Sequence, residues 1–306
     1  MRDALLQDLS QLPYQVHTTI DGRLDLPEQC NFTRSVHVED DCWQVWEDEI
    51  KAVDAVWLLA PETGGYLVKM TALAVLHGKK ILGCGLISIK TCSSKLATYQ
   101  LMQQSQIATI PTCKFMDWQQ ITNKTWVVKP DDGAGCEETM VFDEAKALTR
   151  WMQRHDKFDS HVIQPYMLGI AASISCIMHQ GRALVLSCNQ QMISKNNNTL
   201  QYDGCIVNGL PQYRSAFDVL ANKIAHLLTD LTGYVGIDVI IGRVDAEITV
   251  VEINPRLTTS YVALSEATNT NPAELIIKTL TQAHYTWPSI EQNVVRLILS
   301  QEEQHA

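Results

Sequence analysis

The feature that most restricts this chain is a pair of apolar strands carrying polar groups at matching positions. "GYVGIDVII" (residues 233–241) and "EITVVEIN" (residues 247–254) are rich in β-branched residues and flank a turn-like "GRVDA". If they form a hairpin whose turn centres near Asp245, paired residue numbers sum to 490 and Asp238 lies opposite Glu252. Side chains alternate along a strand, so Glu252 and Asn254 share a face with Asp238. Two opposed carboxylates repel unless a cation lies between them. A divalent ion resolves the conflict, and an all-oxygen donor set suits Mg²⁺ or Mn²⁺ better than zinc. The same alternation also fits a polar hairpin face in solvent, because apolar neighbours such as Val250, Ile253 and Val239 show only that the other face is packed.

Elsewhere helices and strands alternate. Residues 1 to about 88 run helix ("MRDALLQDLSQL"), strand ("YQVHTTID"), helix ("VEDDCWQVWEDEIKAV"), strand ("AVWLLA"), the turn "PETGG", helix ("YLVKMTALAVLHG", with Gly78 as C-cap) and strand ("KKILGC"). That order predicts a parallel α/β sheet. Such a domain usually opens on a strand, so the expectation is that its first strand is missing here. A second block holds the helix "KLATYQLMQQS", capped by Ser93 or Ser94, the strand "TWVVKP", the loop "DDGAG", the strand "ETMVF" and the helix "DEAKALTRWMQRH". From about residue 161 an α+β block follows, with strands "HVIQPY", "AASISCIMHQ" and "RALVLSCNQQMI" before the hairpin. Its helices are "YRSAFDVLANKIAHLLTDLTG" and "NPAELIIKTLTQAH", and the polar "SKNNNTLQYDGC" is expected to be a mobile loop.

Two lysines stand at element ends. Lys129 closes a strand above a glycine loop, where backbone amides and a lysine suit phosphate oxygens, although "KPDDGAG" alone also fits an ordinary turn and no Walker A motif is present. Lys95 opens a helix, where the dipole repels it unless an anion lies close by.

Composition narrows the partners. A net charge of -10 over 306 residues argues against nucleic acid and against an anionic membrane surface. Nine cysteines without C-x-x-C spacing fit reduced thiols, and the nine histidines form no metal-ligand cluster with them. The N-terminus carries acidic residues rather than a basic start and apolar core, and no apolar run approaches a membrane span. A cytoplasmic protein is expected. The histidines are read as structural or surface residues, and no cysteine nucleophile or Ser-His-Asp set is invoked.

Taken in order, "SSKLATYQLM", "VVKPDDGAG", "HVIQPYMLG" and "GIDVII…VVEINPR" resemble the ATP-grasp superfamily over about residues 90 to 285. The resemblance implies an ATP-grasp fold of class α/β with α+β. Residues 1–88 would be a Rossmann-like pre-ATP-grasp domain, 89–160 a small subdomain and 161–306 a large C-terminal subdomain with the metal site. It further implies Lys95 and Lys129 on ATP phosphates, with Asp132, Gly133 and Gly135 in a flap over them. Gln164, Pro165, Tyr166, Met167 and Leu168 would form the adenine hinge. Asp238, Glu252 and Asn254 would hold Mg²⁺ or Mn²⁺, with Glu252 bridging. Arg256 would meet the transferred phosphate, and Thr258, Thr259 and Ser260 would lie along the substrate.

A narrower likeness, through "APETGGYL", "KPDDGAG" and "EINPRLTTSY", is to the family containing the tyramine–glutamate ligases of methanofuran biosynthesis. There the chain normally begins with a strand and a glycine-rich loop, and Glu62 becomes a candidate for binding the substrate amine; a helix-initiating turn residue is its other reading. The implied activity is ATP-dependent ligation of a small-molecule carboxylate and amine through an acyl phosphate, with glutamate and tyramine or tyrosine as the pair. Superfamily members often dimerise, which implies a homodimer by analogy. Departures exist. Gln164 stands where many hinges carry glutamate, and no acidic residue follows the hinge to contact ribose. Gly236 replaces an arginine of D-alanine–D-alanine ligases, and the "EINPR" likeness to carbamoyl-phosphate-synthetase-type sites meets a chain far too short for that enzyme. A ligase for other amino acids and a non-catalytic ATP-binding regulatory protein are the alternatives.

Overall fold

The computed structural model describes residues 1–121, 123–244 and 246–299. The expected turn centre Asp245 lies outside them.

The first block contains α1 (Arg2–Ser10), β1 (His17–Asp21), β2 (Phe32–Val36), α2 (Cys42–Ala52), β3 (Ala55–Val56), α3 (Tyr66–Leu76) and β4 (Lys80–Ile81). The Asp41 side chain caps α2 by accepting from the N–H groups of Trp43 and Gln44. Gly78, at φ +64°, ends α3 as expected. The strands pair in parallel, but as two separate pairs, β1 with β2 and β3 with β4, rather than as one sheet. The apolar runs around β3 and β4 contribute only two paired residues each, so "AVWLLA" and "KKILGC" are mostly extended coil. Helix α1 packs elsewhere: Leu5 joins a core with Ala273 and Ile276 of the C-terminal block, and Tyr261 donates to Asp8 at 2.7 Å.

The second block holds α4 (Leu86–Cys92), α5 (Lys95–Gln104), β5 (Trp126–Pro130), β6 (Met140–Phe142) and α6 (Ala145–His155). Its core joins Trp118, Trp126, Phe142, Leu148 and Met152. The rest comprises β7 (His161–Pro165), β8 (Gly169–His179), β9 (Arg182–Asn196), β10 (Thr199–Val207), α7 (Arg214–Leu227), β11 (Gly233–Gly242), β12 (Ile248–Asn254), α8 (Leu264–Thr268), α9 (Pro272–Thr281) and β13 (Val295–Ile298). One nine-stranded sheet runs through both blocks in the order β12-β11-β8-β9-β10-β6-β5-β7, with β13 added on β10. Each pairing in it is antiparallel.

The sheet's two faces have different work. One face, carrying Ile174, Cys176, Val235, Ile237 and Val239, is wholly apolar and packs on Phe217, Ala221 and Ile224 of α7. These three recur at helical spacing, and fully burying each large side chain contributes about 1.5–3 kcal/mol. The other face is divided along its length. Ile177, Leu186 and Tyr234 lie under α8 and α9, whereas Ser173, Gln191 and Asp238 on the same face are left for a cleft, with the buried Ser175 and Asn189 hydrogen-bonded between.

The segment "SKNNNTLQYDGC" is not a loop. It is the turn of the β9–β10 hairpin and most of β10, paired from Thr199 opposite Asn196. Asn197 and Asn198 have φ of 47° and 70°, and two successive left-handed residues make the turn that suits the right-handed twist of a hairpin. Its polarity comes from half-exposed positions at the cleft rim, which sequence alone does not separate from a loop.

Candidate active site

The hairpin register is the anchor. Asp238 pairs with Glu252, Ile237 with Ile253 and Gly236 with Asn254, as the sum of 490 requires. Beyond Asp238 the ladder slips by one residue, so Val239 faces Val250 and Val251 is extra. A bulge at this point re-aims the strand beside the site, and Val251 lines the cleft.

The groups expected to meet do so. Glu252 Oε2 lies 3.4 Å from Lys95 Nζ and 3.8 Å from Lys129 Nζ. Asn254 Nδ2 donates to Asp238 Oδ2 at 3.1 Å and Gln191 Nε2 donates to Asp238 Oδ1 at 2.9 Å. Burial raises the Asp238 carboxyl and the Glu252 charge raises it further. Burial would raise Glu252 too, but Lys95 and Lys129 overcome it and hold this carboxyl low. Lys129 is pushed down by burial against the pull of Glu252. Two cations, one firmly ionised acid and one acid pushed up by burial and by its neighbour's charge share a small volume. That arrangement suits re-partnering with polyphosphate and a divalent ion.

Among the described residues no group of three or more His, Cys, Asp or Glu forms a metal cage. The donor set is two carboxylates and the Asn254 amide oxygen, which fits a hard divalent ion that takes its remaining ligands from phosphate and water.

Lys95, the first residue of α5, is buried because its surroundings anchor it. Ser94 caps the helix through the N–H of Ala97, and Asp131 accepts from Ser94 Oγ and from the N–H of Leu96. Lys95 Nζ donates to Gly133 O at 2.6 Å. Asp131, which the reading of "DDGAG" passed over, thus fixes the first turn of α5, while the anion that a lysine at a helix N-terminus needs is Glu252. Asp132 does not line the cleft. Its Oδ2 accepts from Gly64 N–H at 3.0 Å and its carbonyl from Thr63 Oγ1 at 3.1 Å, which ties the glycine loop to the first block.

Between the β5–β7 end of the nine-stranded sheet and its β8–β12 part lies a cleft of about 590 Å³. Its wall carries the charged Lys95, Lys129, Glu252 and Arg256 and the apolar Ile110, Val127, Ile170, Ile193 and Leu200, a lining that suits phosphates and a flat ring. Gln164, Pro165, Tyr166 and Met167 form its edge, as do Gly133 and Gly135. Leu168 does not: it is 71% exposed and outside the wall, because the chain turns into β8 at Gly169. The Gln164 side chain is committed to Thr112, a residue with no sequence signal, at 2.8 Å, and the Tyr166 N–H to Thr125 O at 2.9 Å.

Thr258, Thr259 and Ser260 line the cleft as expected. Thr258 and Ser260 also join Ser175 and Tyr234 in a ring of hydroxyls at 2.7–3.0 Å. Such a ring fixes the segment after Arg256. It also explains Gly236: a Cβ there would sit 2.5 Å from Thr258 Cγ2, and Thr258 cannot swing away without breaking the ring. Gly236→Ala is therefore expected to destabilise the protein by about 1–3 kcal/mol, read as a lowered urea midpoint. Arg256 Nε donates to Glu62 Oε2 at 2.6 Å; Glu62 is buried and Arg256 partly so.

The chain is similar to known proteins in sequence and in fold. The model of the ATP-grasp domain matches residues 92–260, and that of the pre ATP-grasp 3 domain residues 14–89. The tyramine–L-glutamate ligase of Methanocaldococcus fervens is 30% identical over 235 residues, 77% of this chain and 69% of its own length. That of Methanocaldococcus jannaschii is 30% identical over 74% of this chain and 62% of its own. Solved structures agree on the fold. The biotin carboxylase domain of Hydrogenobacter thermophilus 2-oxoglutarate carboxylase, in complex with MgADP, has a TM-score of 0.77 at 14% identity, over 94% of this chain and 69% of its own. The L-amino acid ligase of Bacillus licheniformis has 0.73 at 19%, over 90% of this chain and 71% of its own. A family model spanning more than half of the chain, with relatives at 30% identity over most of its length, means that this chain belongs to the ATP-grasp family, among its ligases.

Proposed function

We propose that this enzyme joins a small carboxylate to an amine at the expense of ATP, with glutamate and tyramine as the pair. The single observation that carries the reading is the convergence of Lys95 and Lys129 on Glu252, in a cleft also lined by Asp238, Asn254 and Arg256 and by apolar side chains. The 30% identity to enzymes named tyramine–L-glutamate ligases supports the substrate pair.

The adenine lies on these apolar side chains against residues 164–167, with the phosphates extending toward Gly133, Gly135, Lys95 and Lys129. Asp238, Glu252 and Asn254 hold Mg²⁺ or Mn²⁺, which supplies charge neutralisation for the phosphates. The substrate carboxylate oxygen attacks the γ-phosphorus, the bond to the β–γ bridging oxygen breaks and ADP leaves. The amine then attacks the acyl carbon, phosphate departs and one proton is released. Lys95, Lys129 and Arg256 face the charge that gathers during transfer, and Thr258, Thr259 and Ser260 flank the carboxylate. Closing residues 133–135 over the phosphates excludes water from the acyl phosphate.

ADP release is the test. With ATP, Mg²⁺, L-glutamate and tyramine, steady release of ADP and formation of the amide are expected. ADP with glutamate and a different amine would keep the ligase and change its substrate. Binding of ATP without turnover across a panel of acids and amines would favour a non-catalytic role.

A further inference from the structure

Glu62 is a buried carboxylate with half of its bonding capacity unused. It is 5% exposed, its Oε2 accepts from Arg256 Nε, and its Oε1 is buried with no hydrogen-bond partner. A charged oxygen left in this state is unfavourable, and it marks a place where a cation would be bound tightly. Arg256 is only partly engaged as well: beyond Glu62, its NH1 donates to the Leu257 carbonyl. The pair joins residues 194 apart in sequence, across the boundary between the first block and the cleft.

The turn that carries Glu62 reaches a second part of the site. Thr63 and Gly64 hold Asp132 at the start of the glycine loop. Gly64 and Gly65 have φ of 65° and 70°, so the shape of this turn depends on two successive glycines. Three consecutive residues therefore touch both the arginine and the loop that face the reacting phosphate.

Charge then dictates an order of events. A phosphoryl group brought to Arg256 alone would sit beside the Glu62 carboxylate in a buried site, and the two anions would repel. A cation arriving at Glu62 at the same time removes that conflict. Resting on the ligase reading above, we propose that Glu62 receives the primary ammonium group of the amine substrate, and that until it does so its ion pair keeps Arg256 from phosphoryl transfer. Glu62 is thus a binding residue for the amine and a positioning residue for Arg256. The ammonium then passes one proton to the Glu62 carboxylate and attacks the acyl carbon as the free amine, the C–O bond to phosphate breaks, and a second N–H proton leaves with the phosphate. Without an amine, carboxylate attack on ATP is suppressed, and ATP is not wasted through hydrolysis of an acyl phosphate.

The experiment compares wild type with Glu62→Gln, using ATP, Mg²⁺, L-glutamate and tyramine. Wild type is expected to release ADP with both substrates and to show no rapid burst of ADP with glutamate alone. Glu62→Gln is expected to raise glutamate-only ADP release about tenfold and the tyramine KM about tenfold, with the ATP KM unchanged. Glutamate-only release as low as in wild type, or an unaltered tyramine KM, would overturn the proposal. Should the variant fail to fold, wild type decides alone: a full ADP burst with glutamate alone overturns the proposal, and a burst that appears only when tyramine is added supports it. No ADP from wild type with any pair would remove the ligase reading itself and the proposal with it; that outcome is distinct, because it appears without any substitution.

Discussion

Glu252→Gln is expected to lower kcat by about 10³-fold or more while leaving a folded protein. The substitution preserves shape and removes one charge. In wild type that charge serves two lysines, at 3.4 and 3.8 Å, and stands directly across the ladder from Asp238. Losing it removes one of the oxygens that would hold the divalent ion and leaves Lys95 and Lys129 without their shared counter-ion. Removing one partner of a buried ion pair ordinarily costs about 3–5 kcal/mol. Here the loss is smaller, because the substitution also removes the repulsion that the Glu252 charge exerts on the buried Asp238 carboxyl. A net loss of at most about 2 kcal/mol follows. ADP release and a urea midpoint, measured on one preparation, decide the matter. Turnover near wild type would show that the hairpin face is not the metal site.

The hairpin was readable because its information is local. Period-two alternation puts Asp238, Glu252 and Asn254 on one face whatever the rest of the chain does. Its bulge was not readable, since the slip at Val251 changes no residue's apolar or polar character. Strand β10 was hidden for a related reason: at the cleft rim its side chains are half-exposed, and "NNNTLQYD" has the composition of a loop. Contacts that hold the site in place are long-range and leave no period. Asp131 reaches back to α5 across 35 residues, Gln164 finds Thr112 across 52, and Arg256 finds Glu62 across 194. Polar residues that interrupt the apolar strand "LVLSCNQQMI" did carry a signal. Asn189 and Gln191 point to the same face as Asp238, and a polar residue on a buried strand needs a partner.

Lys129→Met is expected to weaken ATP binding about 10²-fold and kcat/KM about 10³-fold, with adenosine binding unchanged. Lys129 is 8% exposed, sits in β5 opposite Val162 and shares Glu252 with Lys95. Burial works against its charge, which is retained through Glu252. Methionine has nearly the same length without the charge, so the desolvation cost disappears along with the attraction, and stability stays within about 1 kcal/mol of wild type. In the proposed binding mode the nucleoside half of the ligand rests on the apolar Ile110, Val127 and Ile170 rather than on the lysine's charge. Calorimetric titration with ATP and with adenosine separates the two ends. A loss confined to ATP assigns Lys129 to the phosphates. An equal loss for both ligands would mean that the substitution acts by deforming β5, on which the hinge residue Gln164 is registered through Val127, and Lys129 would then owe its burial to the fold rather than to the phosphate charge.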